Sequence, residues 1–242
     1  MKYDTYIFDL DGTLLDTLQD LATSVNYALR SHGMPEHSIE DVRRFVGNGV
    51  RLLMERAIPD GAQNPDFDAT FATFREHYMH HSLDTTRPYP GIPETLAELK
   101  ARGCRLAVVS NKMMATTQEL IRHFFPDTIE VAIGENEAAG IRKKPAPDTV
   151  FAALKELHVS PPKFLDEPSS KVKRGGARCS LDKGLIESLS KGIVYIGDSD
   201  VDIQTAHNAG LPCISVLWGF RDKDFLLKHG AEAFVSTPQE LL

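Results

Sequence analysis

A chain of 242 residues, 42% hydrophobic and 25% charged, has the length and make-up of a globular protein with one large domain, or a core plus one accessory domain. Its net charge of −7 leaves no basic surplus for gripping nucleic acid, so an anionic ligand would need local positive charge from a metal, lysine or arginine. Three scattered cysteines (Cys104, Cys179, Cys213) exclude a disulfide framework; with no secretory signal and no membrane-length apolar stretch, they point to a reduced, cytoplasmic protein without a membrane partner.

Residues 5–8, Thr-Tyr-Ile-Phe, predict a short buried strand that ends at Asp9. Residues 16–84 change character: they carry helical periodicity, few strand signals and the aromatics Phe45, Phe67, Phe71, Phe74 and Tyr78. They predict a helical insert able to hinge over the strand ends as a lid. Within it, Gly47-Asn48-Gly49 precedes Arg51, a candidate for pairing with a substrate anion, and His77, His80 and His81 predict a packed or solvated helix face. Pro88, Pro90, Gly91 and Pro93 mark the return to the core.

Further strands are predicted at 105–109, ending at Ser110, and at 129–133, 193–196 and 213–217, the third of these leading into Gly197-Asp198. Helical patterns at 93–102, 115–124 and 147–157 separate several of them. Strands alternating with helices predict an α/β fold, a parallel sheet covered on both faces. The expected organisation is a core of 1–15 with 85–242, and a helical unit of 16–84.

An open parallel sheet collects chemistry at the carboxyl ends of its strands. Four polar segments fall there: Asp9-Leu10-Asp11-Gly12-Thr13, Ser110-Asn111-Lys112, Lys143-Lys144-Pro145 and Asp198 through Asp202. Asp9 and Asp11 sit two residues apart, on one side of an extended chain. Together with Asp198 and Asp202 they make a hard, oxygen-rich site suited to Mg²⁺. Such a metal bridges an anionic nucleophile and an anionic phosphate. Asp9, ionised at neutral pH, can attack phosphorus without an activating base, and Asp11 can protonate the leaving oxygen and then deprotonate water. Gly12 allows a close backbone approach to phosphate, while Lys144 and the Ser110 hydroxyl neutralise and hydrogen-bond phosphoryl oxygens.

Rival readings of these acids fail on spacing. A calcium loop starting at Asp198 needs glycine and glutamate where Ile203 and Ala209 stand, and one starting at Asp9 fails at Leu14. No GxxxxGK[ST] loop occurs. Turn-forming or helix-capping aspartates explain each segment singly but not all four at strand ends.

The strand into Asp9-Leu10-Asp11-Gly12-Thr13-Leu14, the pairs Ser110-Asn111 and Lys144-Pro145, and Gly197-Asp198-Ser199-x-x-Asp202 together resemble the haloacid dehalogenase superfamily over nearly the whole chain. The resemblance implies a Rossmann-like core with a mobile helical cap. It implies Mg²⁺ held by the Asp9 carboxylate, the Asp11 main-chain carbonyl and Asp198, with Asp202 acting through water or a hydrogen bond, and it puts Asn111 beside Ser110 at the phosphate. Within the superfamily the chain looks most like the phosphoglycolate phosphatases, on Lys144-Pro145-Ala146-Pro147-Asp148, Ala206-His207-Asn208-Ala209-Gly210 and Trp218-Gly219-Phe220-Arg221. The implied activity is hydrolysis of a small phosphorylated metabolite. Phosphomutase and pyrophosphatase activities share the core, and a non-catalytic phosphometabolite-binding protein is the rival from another class.

One segment departs from that pattern. Residues 163–190 form an atypical insertion with a basic stretch around Gly175-Gly176, followed by Leu181, Leu185, Ile186 and Leu189 at helical spacing. A helix-to-strand connection lies at the amino edge of the sheet, away from the acids, so the insertion is expected to serve homo-oligomerisation or partner contact.

Overall fold

The structure, a computed structural model, describes residues 3–162 and 192–242; the insertion expected at 163–190 lies outside the described residues. In chain order the described strands are β1 (Thr5–Phe8), β2 (Leu15–Asp16), β3 (Arg87–Pro88), β4 (Arg105–Met113), β5 (Val131–Glu135), β6 (Ile193–Gly197), β7 (Cys213–Val216) and β8 (Ala233–Val235). The α-helices are α1 (Leu18–Ser31), α2 (Ile39–Phe45), α3 (Val50–Ala57), α4 (Phe67–His81), α5 (Ile92–Ala101), α6 (Met114–Phe124), α7 (Asp148–Glu156), α8 (Asp200–Ala209) and α9 (Lys223–Lys228). None of the described helices is long and apolar enough to cross a membrane.

Six strands form one sheet in the order β5-β4-β1-β6-β7-β8, and every pairing is parallel. The expected α/β fold is therefore present. Alternation along each strand explains why the strands read as unbroken apolar runs. Tyr6, Phe8, Leu106, Val108, Val194 and Ile196 face one core, shared with α5 and α6. Ile7, Ala107, Val109, Ile193 and Tyr195 face the other, under α7 and α8. The chain runs from β1 outward to β4 and β5, then returns to β6 on the opposite side of β1. That reversal opens a crevice beyond the carboxyl ends of β1 and β6, the place where such sheets bind ligands. The register sets Phe8 beside Val108 and Ile196, so Asp9 emerges at the centre of the crevice.

Helices α1 to α4 lie between β2 and β3, which pair antiparallel as Leu15 with Pro88 and Asp16 with Arg87. They bury a separate apolar cluster. Leu18, Leu21, Val25 and Leu29 recur on one face of α1 and meet Phe67, Phe74 and Tyr78 of α4. In α4 the rings of Phe67, Phe71, Phe74 and Tyr78 stack in succession. Asp20 ties this layer to the returning chain: its buried carboxylate accepts hydrogen bonds from the backbone N–H and hydroxyl groups of both Thr85 and Thr86.

Among the differences from the sequence reading, two bear on the sheet: one strand runs further and another was missed. β4 continues through Ser110, Asn111, Lys112 and Met113, which the sequence suggested as a loop; their polar groups find partners inside the protein. β8 was not predicted, because three residues, Ala-Phe-Val, give too short an apolar run to separate from its surroundings.

Candidate active site

β1 hands Asp9 to the sheet edge with its N–H bonded to the Ile196 carbonyl at 2.9 Å. The alternation that sends Ile7 toward α7 and α8 sends Asp9 the same way, to Lys144, Tyr195 and Asp202. The Lys144 ammonium donates to Asp9 Oδ1 at 2.7 Å and to Asp202 Oδ1 at 2.8 Å, and lies 3.2 Å from the Tyr195 hydroxyl. Asp9 Oδ2 carries no hydrogen bond to the described residues. Burial, then the field of Asp202, raises the Asp9 carboxyl well above its ordinary range, with Lys144 opposing. Burial works against the Lys144 charge too, but Asp202 and Asp9 outweigh it and hold the ammonium.

Asp202 is fully engaged. Its Oδ1 also accepts from the Tyr195 hydroxyl at 2.9 Å, and its Oδ2 accepts from the Asp198 and Ser199 N–H groups and from Ser199 Oγ. Ser199 and Asp202 cap α8 reciprocally, so this acid fixes both the helix start and the Asp198 turn. Asp198 Oδ2 accepts from the Phe220 N–H at 2.6 Å. Burial, then Asp202, pushes the Asp198 carboxyl up to about 7. One carboxylate oxygen from each of Asp9, Asp198 and Asp202 lies within 4.8 Å of the others.

Gly12 sits at φ +85°, tight against the Asp198 carboxylate. A Cβ there would meet Asp198 Oδ2 at 2.3 Å and Phe220 Cδ2 at 2.9 Å, so the missing side chain makes room for the Asp198 carboxylate. Asn111 behaves differently from a phosphate-contacting side chain. Its amide donates to the Lys144 carbonyl at 3.0 Å and accepts from the Lys144 N–H at 2.7 Å, which locks the lysine backbone. Ser110 Oγ accepts from the Lys112 N–H at 3.1 Å.

Asp9, Asp11, Ser110, Lys112, Lys144 and Asp198 floor a cavity of about 70 Å³, roofed by Leu21, the Val46–Val50 turn and Leu53 from the helical layer. Arg51 is not among its lining residues. It stacks over Phe67, 4.8 Å from the ring centroid, and pairs with Glu55 and Asp68. The cavity arginine is Arg221, which donates to the Arg43, Arg44 and Val46 carbonyls at the end of α2. His77 stacks between Tyr27 and His81 and bonds Ser24, a packed helix face.

Sequence reasoning named Lys112 and Tyr78 only as members of a polar segment and an aromatic row, and gave no role to Lys112, Tyr195, Thr17 or Tyr78. Lys112 and Tyr195 carried a usable signal: each puts a polar end on or next to an apolar strand that ends in a polar motif. Thr17 and Tyr78 had none, since their importance depends on how the helical layer seats.

The sequence matches the family described as haloacid dehalogenase-like hydrolase over residues 6–165, and the family described as HAD-hydrolase-like over residues 141–237. It is 30% identical to a phosphoglycolate phosphatase from Aquifex aeolicus, over 88% of this chain and 84% of that protein. It is 26% identical to an N-acetylmuramic acid 6-phosphate phosphatase from Pseudomonas aeruginosa, over 100% and 94%. Among solved structures, a candidate phosphoglycolate phosphatase from Lactobacillus delbrueckii superposes with a TM-score of 0.83 at 34% identity, over 100% of this chain and 97% of the other.

Proposed function

The chain belongs to the haloacid dehalogenase-like hydrolase family as a phosphatase, and on that premise we propose that it hydrolyses small phosphate monoesters through an aspartyl-phosphate on Asp9. One observation carries this reading: Asp9 stands at the end of the central strand with Oδ1 on Lys144 and Oδ2 unbonded, on the floor of a small cavity. Oδ2 attacks phosphorus as the ester P–O bond breaks. Asp11 gives its proton to the departing ester oxygen, releasing an alcohol. Water then attacks the same phosphorus, Asp11 takes the water's proton, and the P–O bond to Asp9 breaks to restore the carboxylate. Lys144 and the Ser110 hydroxyl hold phosphoryl oxygens, with the Asn111 and Gly12 main chains beside them.

The residues fit Mg²⁺. One carboxylate oxygen from each of Asp9, Asp198 and Asp202 lies within 4.8 Å of the others, a crowded set of hard oxygens whose mutual repulsion a divalent cation would relieve. Asp9, Asp198 and the Asp11 main-chain carbonyl would hold the ion, and Asp202, whose oxygens are already bonded, would hold Lys144 and the Asp198 turn in place. Bound there, Mg²⁺ offsets the repulsion between the carboxylate nucleophile and the phosphate.

Residues 16–84 act as the cap and 1–15 with 85–242 as the core, since the cavity takes its floor from one and its roof from the other. Phosphoglycolate leads as the substrate, being the one named for a relative that is 30% identical over 88% of this chain. The sparse cysteines support a cytoplasmic setting for the reaction. A panel of phosphoglycolate, pyrophosphate, hexose phosphates, N-acetylmuramic acid 6-phosphate and nucleotides, ranked by kcat/KM with Mg²⁺, tests the assignment. Phosphoglycolate is expected to rank first. Asp9→Asn is expected to lower turnover by roughly four orders of magnitude with the fold intact. Mg²⁺-dependent turnover that survives this substitution refutes the nucleophile.

A further inference from the structure

We propose that Lys112 is a positioning residue for the Asp11 proton relay, held in place by Tyr78 of the helical layer; this rests on reading Asp11 as the acid and base. Lys112 lies in the last part of β4 and is only 4% exposed. A buried ammonium persists only when paired. Its nitrogen lies 3.1 Å from Asp11 Oδ1, donates to the Tyr78 hydroxyl, and sits 4.5 Å from the Tyr78 ring centroid. Thr17, at the start of α1, donates to the same Asp11 oxygen at 2.6 Å.

Two donors on Oδ1 fix the rotation of the Asp11 carboxyl and leave Oδ2 as the oxygen free to carry a proton, while Asp11 lines the cavity. Oδ2 then passes its proton to the ester oxygen as the P–O bond breaks, and recovers a proton from the attacking water. Of the two groups on that carboxyl, Thr17 comes from one end of the helical layer and Lys112 from the core, and Lys112 is itself bonded to Tyr78 from the other end of that layer. Tyr78 is itself fixed, 1% exposed and stacked on Phe74 at 5.6 Å. The relay is therefore in register only when the helical layer is seated over the strand ends. A direct contact between Lys112 and the substrate phosphate is the competing role. It differs in outcome, because a phosphate contact serves every ester alike.

The test compares ethyl phosphate, whose alkoxide needs a proton to leave, with acetyl phosphate, whose acetate does not. The two substrates, a monoester and an acyl phosphate, are similar in size, and kcat/KM reports the steps through leaving-group departure. For Lys112→Met, kcat/KM is expected to fall about 100-fold on ethyl phosphate and less than about 5-fold on acetyl phosphate. Tyr78→Phe, which removes one hydroxyl and keeps the stacked ring, is expected to fall about 5-fold on ethyl phosphate with acetyl phosphate unchanged. It decides the question if Lys112→Met does not fold. Equal losses on both substrates, or no loss, overturn the proposal. Asp11→Asn separates the premise from the inference: loss confined to ethyl phosphate in that variant alone sinks only the role of Lys112, whereas equal effects on both substrates in Asp11→Asn sink the acid assignment itself.

Discussion

Asp198 shows how one carboxyl reports on the charge of the whole site. Buried and facing Asp202, it keeps its proton up to about 7 in the folded chain, whereas its ordinary value is 3.8. The folded state thus binds more protons than the unfolded state between those values, so this group's contribution to stability falls as pH rises from the ordinary value through about 7. A divalent cation that takes the carboxylate form reverses that penalty and must compete with the proton. Mg²⁺ affinity measured by calorimetry is therefore expected to weaken about tenfold for each pH unit below about 7, and Mg²⁺ is expected to raise Tm more at about pH 8 than at about pH 5.5. A flat dependence of both would remove Asp198 from the ion's ligands.

At the scale of elements, the contact between α1 and the chain returning after α4 depends on Asp20. Its carboxyl is held below the ordinary carboxylate range; burial pushes it up, but hydrogen bonds from Thr85 and Thr86 outweigh burial. A depressed folded pKa gives stability that is present above the unfolded value and is lost as pH falls through the folded one. Asp20→Asn is expected to cost about 2–3 kcal/mol near neutral pH, read from urea denaturation, because it removes acceptors from a bundle of donors inside the protein. The wild-type and variant curves should converge in acid. A constant difference down to about pH 2 would show that the charge contributes nothing.

The legibility of the fold follows from the same physics. β1 and β6 could be read because both faces are buried, which turns them into short apolar runs with polar ends. β4 was read four residues short, because Ser110 to Met113 become strand only through partners distant in sequence, such as Lys144 and Asp11. Asp9, Asp198 and Lys144 were legible as a site because their strand ends must meet in this topology. The engagement of Asn111 with the Lys144 backbone was not, since sequence gives the residue type but not which of its oxygens or nitrogens is already bonded.

On the scale of the whole molecule, catalytic parts are divided between two layers. The core supplies Asp9, Lys144 and the other aspartates, which the proposed function makes nucleophile, cation and acids; the helical layer supplies the roof of the cavity, the Thr17 hydroxyl on Asp11 and the Tyr78 hydroxyl on Lys112. Under the proposed function, such a division would bring the substrate's far end against the helical layer. It still leaves every reading dependent on a covalent bond between phosphorus and Asp9. Borohydride quenching during turnover of phosphoglycolate with Mg²⁺, followed by peptide mass spectrometry, tests that bond directly. Reduction of an acyl phosphate converts its aspartate to homoserine, so homoserine is predicted at position 9, in the substrate-treated sample only. Homoserine at another aspartate, or an unmodified Asp9 under full turnover, would contradict the account.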